Sequence, residues 1–212
     1  IINPIWSAYS FFTLYANIDE YTAKPITSPT NTLDRYILAK TNELIGNVTS
    51  SMDSYDLPGA TAEIKGFIDA LNNWYIRRSR DRFWSPSKPK DDSDKQDAYD
   101  TLFTVLENLC RLSAPFLPMV TEEIFKGLTG QSSVHESDWP SLTEFTSDTD
   151  LVESMDLIRD IVSTTLRLRE DASLRVRLPL QKITIAGIDS DALSDFELII
   201  KDEVNVKSIV FT

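Results

Sequence analysis

The chain has 212 residues, of which 42% are hydrophobic and 25% are charged, and it contains only 6 glycines and 10 prolines. This composition is ample for a hydrophobic core and excludes a fibrous or low-complexity protein. The single cysteine, Cys110, cannot form an internal disulfide. With only one further candidate ligand of this kind, His135, the chain has too few cysteine and histidine side chains for a typical zinc site, and few candidates for a Ser-His-Asp triad.

Membrane and secretion signals are not found in the sequence. There is no run of about 18 apolar residues and no basic leader ahead of an apolar segment, so we expect neither a membrane span nor a signal peptide. The lone thiol lies in an apolar stretch, which fits a reducing, cytoplasmic location. The chain begins without a methionine inside an aromatic-rich segment, and we therefore expect it to be part of a longer protein.

Charge is distributed unevenly along the chain. The net charge of -12 at pH 7 counts against a phosphate-binding surface over the whole protein. Over residues 74–90, however, six basic residues accompany one acidic residue. A local excess of positive charge therefore lies on an otherwise acidic chain.

Apolar residues at three- to four-residue spacing predict helices along much of the chain. The first is predicted over residues 5–21. The second begins where Asn31 or Thr32 can cap it, and it breaks at residues 55–59. The third starts at about Thr61 and has the most regular apolar spacing in the sequence.

Three further helices are predicted beyond a polar loop at residues 85–94. One carries an apolar stripe over residues 98–112. A short one over about residues 121–128 is closed by its glycines, and a long amphipathic one spans about residues 151–166. The protein is therefore predicted to be mainly α, with five or six helices in a bundle.

Near residue 174 the pattern changes to an alternation of apolar and polar residues, which predicts a strand. A helix near residues 191–202 and a last strand over residues 204–211 complete a β-α-β tail. We therefore predict two domains, a helical bundle over residues 1–172 and a small α/β element over residues 173–212.

Residues 73–84 carry the most informative chemistry, because four arginines lie among large aromatic residues. A planar guanidinium group holds phosphate oxygens in pairs and stacks on bases, so this mixture suits an unpaired RNA loop. The candidate contacts are Arg77, Arg78, Arg80 and Arg82, with Tyr75 and Trp84 as candidate stacking residues. The same arginines also suit surface ion pairs, an interpretation that the sequence leaves open.

A second basic group lies where the last bundle helix is predicted to meet the first strand. Its candidate RNA contacts are Arg167, Arg169, Arg175 and Arg177. On a strand, Arg175 and Arg177 would point to one face and Val176 to the other. An ordinary polar strand face explains this pattern equally well.

Catalytic chemistry finds little support in the sequence. His135 stands near Glu136 and Asp138 but has no nucleophile beside it, so a structural role is favoured. The six glycines are scattered and form no phosphate-cradling loop. We therefore predict no catalytic residue, no metal and no cofactor in this chain.

The run of residues 72–84 resembles the anticodon-binding domain of isoleucyl-tRNA synthetases, which are class I aminoacyl-tRNA synthetases. Other blocks resemble the same domain in the same order, at residues 6–12, 34–40, 114–118 with 122–124, and 133–135 with 138–140. Valyl relatives tend to have Trp-Tyr-Ile-Glu where this chain has Arg77 after Trp-Tyr-Ile. Arg77 therefore favours the isoleucine family, and a valyl domain is the alternative.

The resemblance implies a helical bundle that binds the anticodon stem and loop of tRNA-Ile and packs on the catalytic domain of a parent ligase. The last strands resemble the junction region that follows this bundle. The parent would attach isoleucine to tRNA using ATP. This chain has neither the His-x-Gly-His and Lys-Met-Ser-Lys-Ser signatures nor the editing insertion, so we expect it to be inactive alone. A helical protein-interaction module without RNA contact is the other alternative.

Overall fold

A computed structural model places most of the chain in regular secondary structure. The residues that it describes are 1–142, 148–188, 193 and 196–212. They form two compact units, Ile1–Asp148 and Thr149–Thr212. The regular structure described in the first unit is helical, and the second joins helices to a two-stranded sheet. The predicted class, mainly α with a small C-terminal α/β element, is confirmed.

The first unit begins with two long helices, α1 (Ile2–Ile18) and α2 (Thr32–Asp53). Helix α1 lies within a few residues of its predicted position. The side chain of Asn31 accepts a hydrogen bond of 2.9 Å from the backbone N–H of Leu33 and so caps α2. This capping confirms one of the two predicted caps.

The third predicted helix is a continuous run of three segments. They are α3 (Leu57–Asp69), a π-helical segment (Ala70–Ile76) and α4 (Arg77–Trp84). The helix begins inside the predicted break at residues 55–59. It does so because the Asp56 carboxylate accepts a hydrogen bond of 2.9 Å from the backbone N–H of Gly59 and caps the first turn.

Helix α5 (Ser93–Ser113) is the centre of the first unit and is buried along most of its length. It packs against α1, α2, α4 and α6 (Pro118–Thr129). Its fully buried side chains include Leu102, Val105 and Leu106. Cys110 on the same helix is also buried, which raises the pKa of its thiol and fits a packing role.

Gly127, one of the glycines predicted to close α6, lies inside the helix instead. A Cβ atom on Gly127 would collide with the hydroxyl of Tyr9 on α1, so glycine here permits the close approach of two helices. The helix ends at Gly130, which adopts a positive φ of 70° as a C-cap. The prediction is therefore wrong for Gly127 and correct for Gly130.

The second unit is a helix packed on a β-α-β element. Its elements are α7 (Thr149–Asp171), β1 (Leu180–Ile185), α8 (Glu197–Val204) and β2 (Val206–Phe211). The strands are parallel, with Leu180 opposite Val206 and Ile185 opposite Phe211, and α8 crosses between them. The predicted β-α-β tail is present, although residues 191, 192, 194 and 195 of its predicted helix lie outside the described residues.

The strand predicted to start near residue 174 is wrong in its first part. The backbone turns after α7, with Ser173 at a positive φ of 56°, and β1 starts only at Leu180. The side chain of Arg169 donates hydrogen bonds to the carbonyl oxygens of Arg175 and Leu178, at 2.7 and 2.6 Å. The carbonyl oxygen of Arg175 also accepts a hydrogen bond of 3.0 Å from the backbone N–H of Leu178, so this segment forms a turn rather than a strand.

The compact units divide ahead of α7, whereas the predicted domain boundary lies at residue 172, after it. Compact units are defined by contacts and need not coincide with family domains, so the predicted boundary stays a prediction. Among the helices that the structure describes, none combines the length and the apolar character needed to cross a membrane.

Candidate nucleic-acid interface

The arginine-rich helix α4 has an inner and an outer side. At about 100° per residue, Tyr75 and Arg82 point in one direction and Arg77, Arg80 and Trp84 point in roughly the opposite one. The structure follows this division, since Tyr75 is buried and Arg82 is largely buried, whereas the other three are exposed. We call Arg77, Arg80 and Trp84 the outer face of α4.

The inner side of α4 is organised by Asp34, a fully buried residue in the first turn of α2. Arg82 donates from Nη1 to Oδ1 at 2.8 Å and from Nη2 to Oδ2 at 2.7 Å. The hydroxyl of Tyr75 donates to Oδ1 at 2.7 Å. Arg82 also bonds Asp94 at the start of α5, through its carboxylate at 2.8 Å and its carbonyl oxygen at 2.7 Å. We call these four residues the Asp34 network.

Burial dominates the electrostatics of the Asp34 network. It raises the pKa of the Asp34 carboxyl, although the hydrogen bonds from Arg82 and Tyr75 act in the opposite direction. It also raises the pKa of Tyr75 well above its ordinary value, and the adjacent carboxylate adds to this rise. Burial lowers the pKa of Arg82, but the bonds to Asp34 outweigh that and raise it. Three donors point at two carboxylate oxygens, so Asp34 accepts as the ionised form.

Two predicted RNA contacts are therefore structural residues. Tyr75 is 0% exposed and cannot stack on a base. The side chain of Arg82 is 12% exposed, and its three nitrogens are occupied by carboxylate and carbonyl partners. The sequence carried a signal of this burial, because Tyr75 follows Leu71 by four residues and Ile68 by seven, and so continues the apolar stripe.

Arg77 and Arg78 lie beside the ring of Trp74. The Cζ atoms of these two arginines are 6.0 and 5.6 Å from its centroid. Trp74 itself is buried, Arg78 is partly buried and Arg77 is exposed. The Nε of Arg77 also donates to the carbonyl oxygen of Asn73 at 2.8 Å. Attraction between a cation and an aromatic ring restrains both guanidinium groups before any ligand is present.

Hydrogen bonds connect Trp84 to α1 and the loop after α4 to α5. The indole Nε1 of Trp84 donates to the hydroxyl of Tyr15 on α1 at 2.7 Å, while 52% of the residue remains exposed. In the loop after α4, the carbonyl oxygens of Ser85 and Ser87 accept hydrogen bonds from the buried Lys95, at 2.8 and 3.1 Å. The exposed indole of Trp84 therefore has a fixed orientation.

A family model described as the anticodon-binding domain of tRNA ligase matches residues 34–184, a stretch that contains the whole Asp34 network and α4. The chain belongs to this family. The resemblance inferred from the sequence is therefore confirmed.

This anticodon-binding domain is similar over nearly all its length to isoleucine-tRNA ligases. It is 48% identical over 209 residues to the enzyme of Leifsonia xyli subsp. xyli, which covers 99% of this chain and 18% of the relative. The enzyme of Corynebacterium efficiens is 48% identical over 209 residues, covering 99% of this chain and 19% of the relative. That of Mycobacterium tuberculosis is 44% identical over 213 residues, covering 100% and 19%. The chain thus spans less than a fifth of the length of these relatives. Because all three are isoleucine enzymes, the valyl alternative is not favoured.

The second basic group of the anticodon-binding domain is divided between surface and interior. Its exposed members are Arg167, Arg175 and Arg177. Arg169 is only 3% exposed, and its guanidinium donates to four carbonyl oxygens, those of Arg175, Val176, Leu178 and Val204. A side chain enclosed in this way cannot reach RNA, which corrects the prediction for Arg169. Arg175 and Arg177 lie in turns and not on the predicted strand face.

The loop that carries His135 is fixed on α6. Glu122 accepts hydrogen bonds from the hydroxyl of Ser133 and the backbone N–H of Val134, at 3.0 and 2.9 Å. His135 Nε2 lies 3.3 Å from the carbonyl oxygen of Pro118. In the described part of the domain, no three His, Cys, Asp or Glu side chains cluster as a metal site would require. These contacts favour a structural role for His135.

Proposed function

We propose that this chain binds the anticodon stem and loop of tRNA-Ile as part of an isoleucine-tRNA ligase. The observation that carries the proposal is the outer face of α4, where Arg77, Arg80 and Trp84 are exposed together. Arg78, beside Trp74, is partly buried and lies between the inner side and the outer face, about 100° around the helix from Arg77. The face belongs to the stretch that matches the anticodon-binding family, and the relatives from Leifsonia, Corynebacterium and Mycobacterium are isoleucine enzymes.

The chemistry of the outer face suits an RNA loop. A guanidinium group pairs with phosphate oxygens and stacks on bases, and an exposed indole offers a stacking surface to any base. The net charge of -12 places negative potential over much of the remaining surface. RNA is therefore repelled from most of the chain and attracted to the basic surface.

A second RNA contact is proposed on the other compact unit. Arg167, Arg175 and Arg177 are exposed there, and the carbonyl groups of the turn that carries the last two are held by Arg169. Such contacts to phosphate would add affinity and salt dependence without reading sequence.

The proposed partner within the parent ligase is its catalytic domain. Helix α1 exposes four large apolar side chains, those of Ile2, Trp6, Leu14 and Ile18. Since the chain spans less than about a fifth of its relatives, much of each relative is available to cover such a surface. ATP and isoleucine would bind in the catalytic domain of a cytoplasmic parent, and the chain alone would not attach isoleucine to tRNA.

The test of RNA binding is a titration of fluorescein-labelled tRNA-Ile transcript with the chain, followed by anisotropy at several salt concentrations. Replacing Arg77 and Arg78 by Glu is expected to weaken binding more than tenfold. The slope of log affinity against log salt is expected to fall by about 0.7–0.9 for each phosphate group that the variant no longer neutralises. Lys65→Glu on α3 is the matched control for the single variant Arg77→Glu, because each reverses one positive charge and Lys65 is an exposed residue outside the outer face.

The outcome of this titration separates the proposal from its alternative. If the arginine variant retains both the affinity and the salt slope of the wild type, the outer face does not contact RNA. If the wild-type chain shows no binding even at low salt, the result favours a helical interaction module.

A further inference from the structure

Helix α4 is held from both ends by one carboxylate. Tyr75 lies just before α4 and Arg82 lies in its last turn, and both donate to Asp34 at 2.7–2.8 Å. The two residues are seven positions apart, about two helical turns, so they project from the same side of the helix. Two attachments on one side determine the rotation of α4 about its axis.

The segment before α4 changes the helical register, so the rotation of α4 differs from the one that α3 alone would give. The π-helical segment Ala70–Ile76 separates α3 from α4, and a π-helix has more residues per turn than an α-helix. Moving the α register by one residue rotates every later side chain by about 100°. Such a rotation would carry Arg77 and Arg80 off the outer face, and the bonds of Arg82 to Asp34, beyond the π segment, oppose it.

We propose that the Asp34 network is a positioning device for RNA binding: Asp34 holds Tyr75 and Arg82, and thereby turns Arg77, Arg80 and Trp84 towards the RNA. This inference rests on the proposed function of the outer face. Arg82 acts through α4 and touches no RNA. Its bonds to Asp94 extend the same anchor to the start of α5.

The network offers a substitution that changes positioning without changing charge. Asp34→Asn together with Arg82→Gln removes one negative and one positive charge, so the net charge of -12 is retained. The long-range attraction of the chain for RNA is then unchanged. It also leaves no uncompensated buried charge, which would otherwise destabilise the protein strongly. A change in RNA binding by this variant therefore reports on the placement of the outer face.

The experiment measures affinity for the tRNA-Ile transcript and its salt slope for the wild type, the double variant and Tyr75→Phe. For the double variant we expect folded protein by circular dichroism and roughly tenfold weaker binding. Its salt slope should be lower by about 0.7–0.9, the contribution of one neutralised phosphate group. Tyr75→Phe keeps the Asp34–Arg82 pair and is expected to weaken binding less. A reduced folded fraction would weaken the apparent affinity and leave the slope unchanged, so the slope separates positioning from stability.

Wild-type affinity and slope in a folded double variant would overturn the inference. If the double variant does not fold, Arg82→Lys and Tyr75→Phe test the inference in its place. Lysine keeps the charge of Arg82 but cannot bond both oxygens of Asp34. A lowered slope in either supports positioning, and wild-type values in both overturn it. Failure of the proposed function is distinct, because Arg77→Glu would then have no effect on binding. If positioning alone fails, Arg77→Glu still weakens binding.

Discussion

Arg82 and Asp34 form a two-point ion pair, Nη1 to Oδ1 at 2.8 Å and Nη2 to Oδ2 at 2.7 Å, between residues 48 positions apart. The side chain of Asp34 is 0% exposed and that of Arg82 is 12% exposed. In such an environment the carboxylate of Asp34 depends on Arg82, because water is not available to solvate it.

Removing one member of this pair should destabilise the protein strongly. For Asp34→Asn or Arg82→Gln we expect the free energy of unfolding to fall by about 3–5 kcal/mol. In the double variant the decrease should be smaller than the sum of the single decreases, since no charge is left unpaired. Urea unfolding followed by circular dichroism measures all three. Additive decreases would show that the two side chains do not interact energetically.

Trp84 should contribute to RNA binding through stacking rather than charge. Trp84→Ala is expected to weaken tRNA-Ile binding by about 1–3 kcal/mol while the salt slope stays constant, because the substitution removes no positive charge from the phosphates. Trp6→Ala is the matched control, since Trp6 is 46% exposed and Trp84 52%. Equal effects of the two substitutions in the anisotropy titration would refute stacking by Trp84.

Arg169 should stabilise the second compact unit. Its guanidinium bonds the carbonyl oxygens of Arg175 and Leu178 at 2.7 and 2.6 Å, and hydrogen bonds to charged groups contribute about 1.5–3 kcal/mol each. Arg169→Met is therefore expected to lower the free energy of unfolding of this unit by about 2 kcal/mol or more. Hydrogen exchange should become faster at residues 173–178.

The control for this prediction is Arg167→Met, on the exposed side of the same helix. We expect it to change stability by less than about 0.5 kcal/mol. Similar exchange rates in the Arg167 and Arg169 variants would contradict the role assigned to Arg169.

Glu122 should make the loop around His135 sensitive to acid. The hydrogen bond from Lys126 is the largest of the interactions that lower the pKa of Glu122 from 4.5 to about 2, and bonds from Val134 and Ser133 add to it. Because the folded pKa lies below the unfolded one, the stabilisation is complete above about pH 4.5 and disappears as the pH falls towards 2.

Glu122→Gln should therefore lower the Tm at neutral pH, and its deficit should shrink as the pH falls from about 4.5 towards 2. Thermal melts across this range measure the deficit, with Glu123→Gln as a control for the change in net charge. A deficit that does not vary with pH would show that the charge of Glu122 does not stabilise the loop. A carboxyl NMR titration provides a second measurement of the same shift.

Local sequence patterns were sufficient for most helices of this domain. The spacing of apolar residues and the cap at Asn31 are properties of neighbouring residues, and α2 begins where they indicate. The errors fall where an unrecognised side chain intervenes. Because Asp56 caps α3, the helix starts at Leu57, earlier in the chain than predicted. Turns held by Arg169 replace the first part of the predicted strand.

The sequence by itself determined the helical class, the position of the basic segment and, through ordered blocks of residues, the family. Only the tertiary structure decided which basic and aromatic residues are available to a partner. Tyr75 and Arg82 are buried against Asp34, which is 41 and 48 residues away in the sequence. Arg169 bonds the carbonyl oxygen of Val204, which is 35 residues away. A guanidinium group can be buried only where oxygen acceptors meet its nitrogens, and folding alone brings such distant acceptors together.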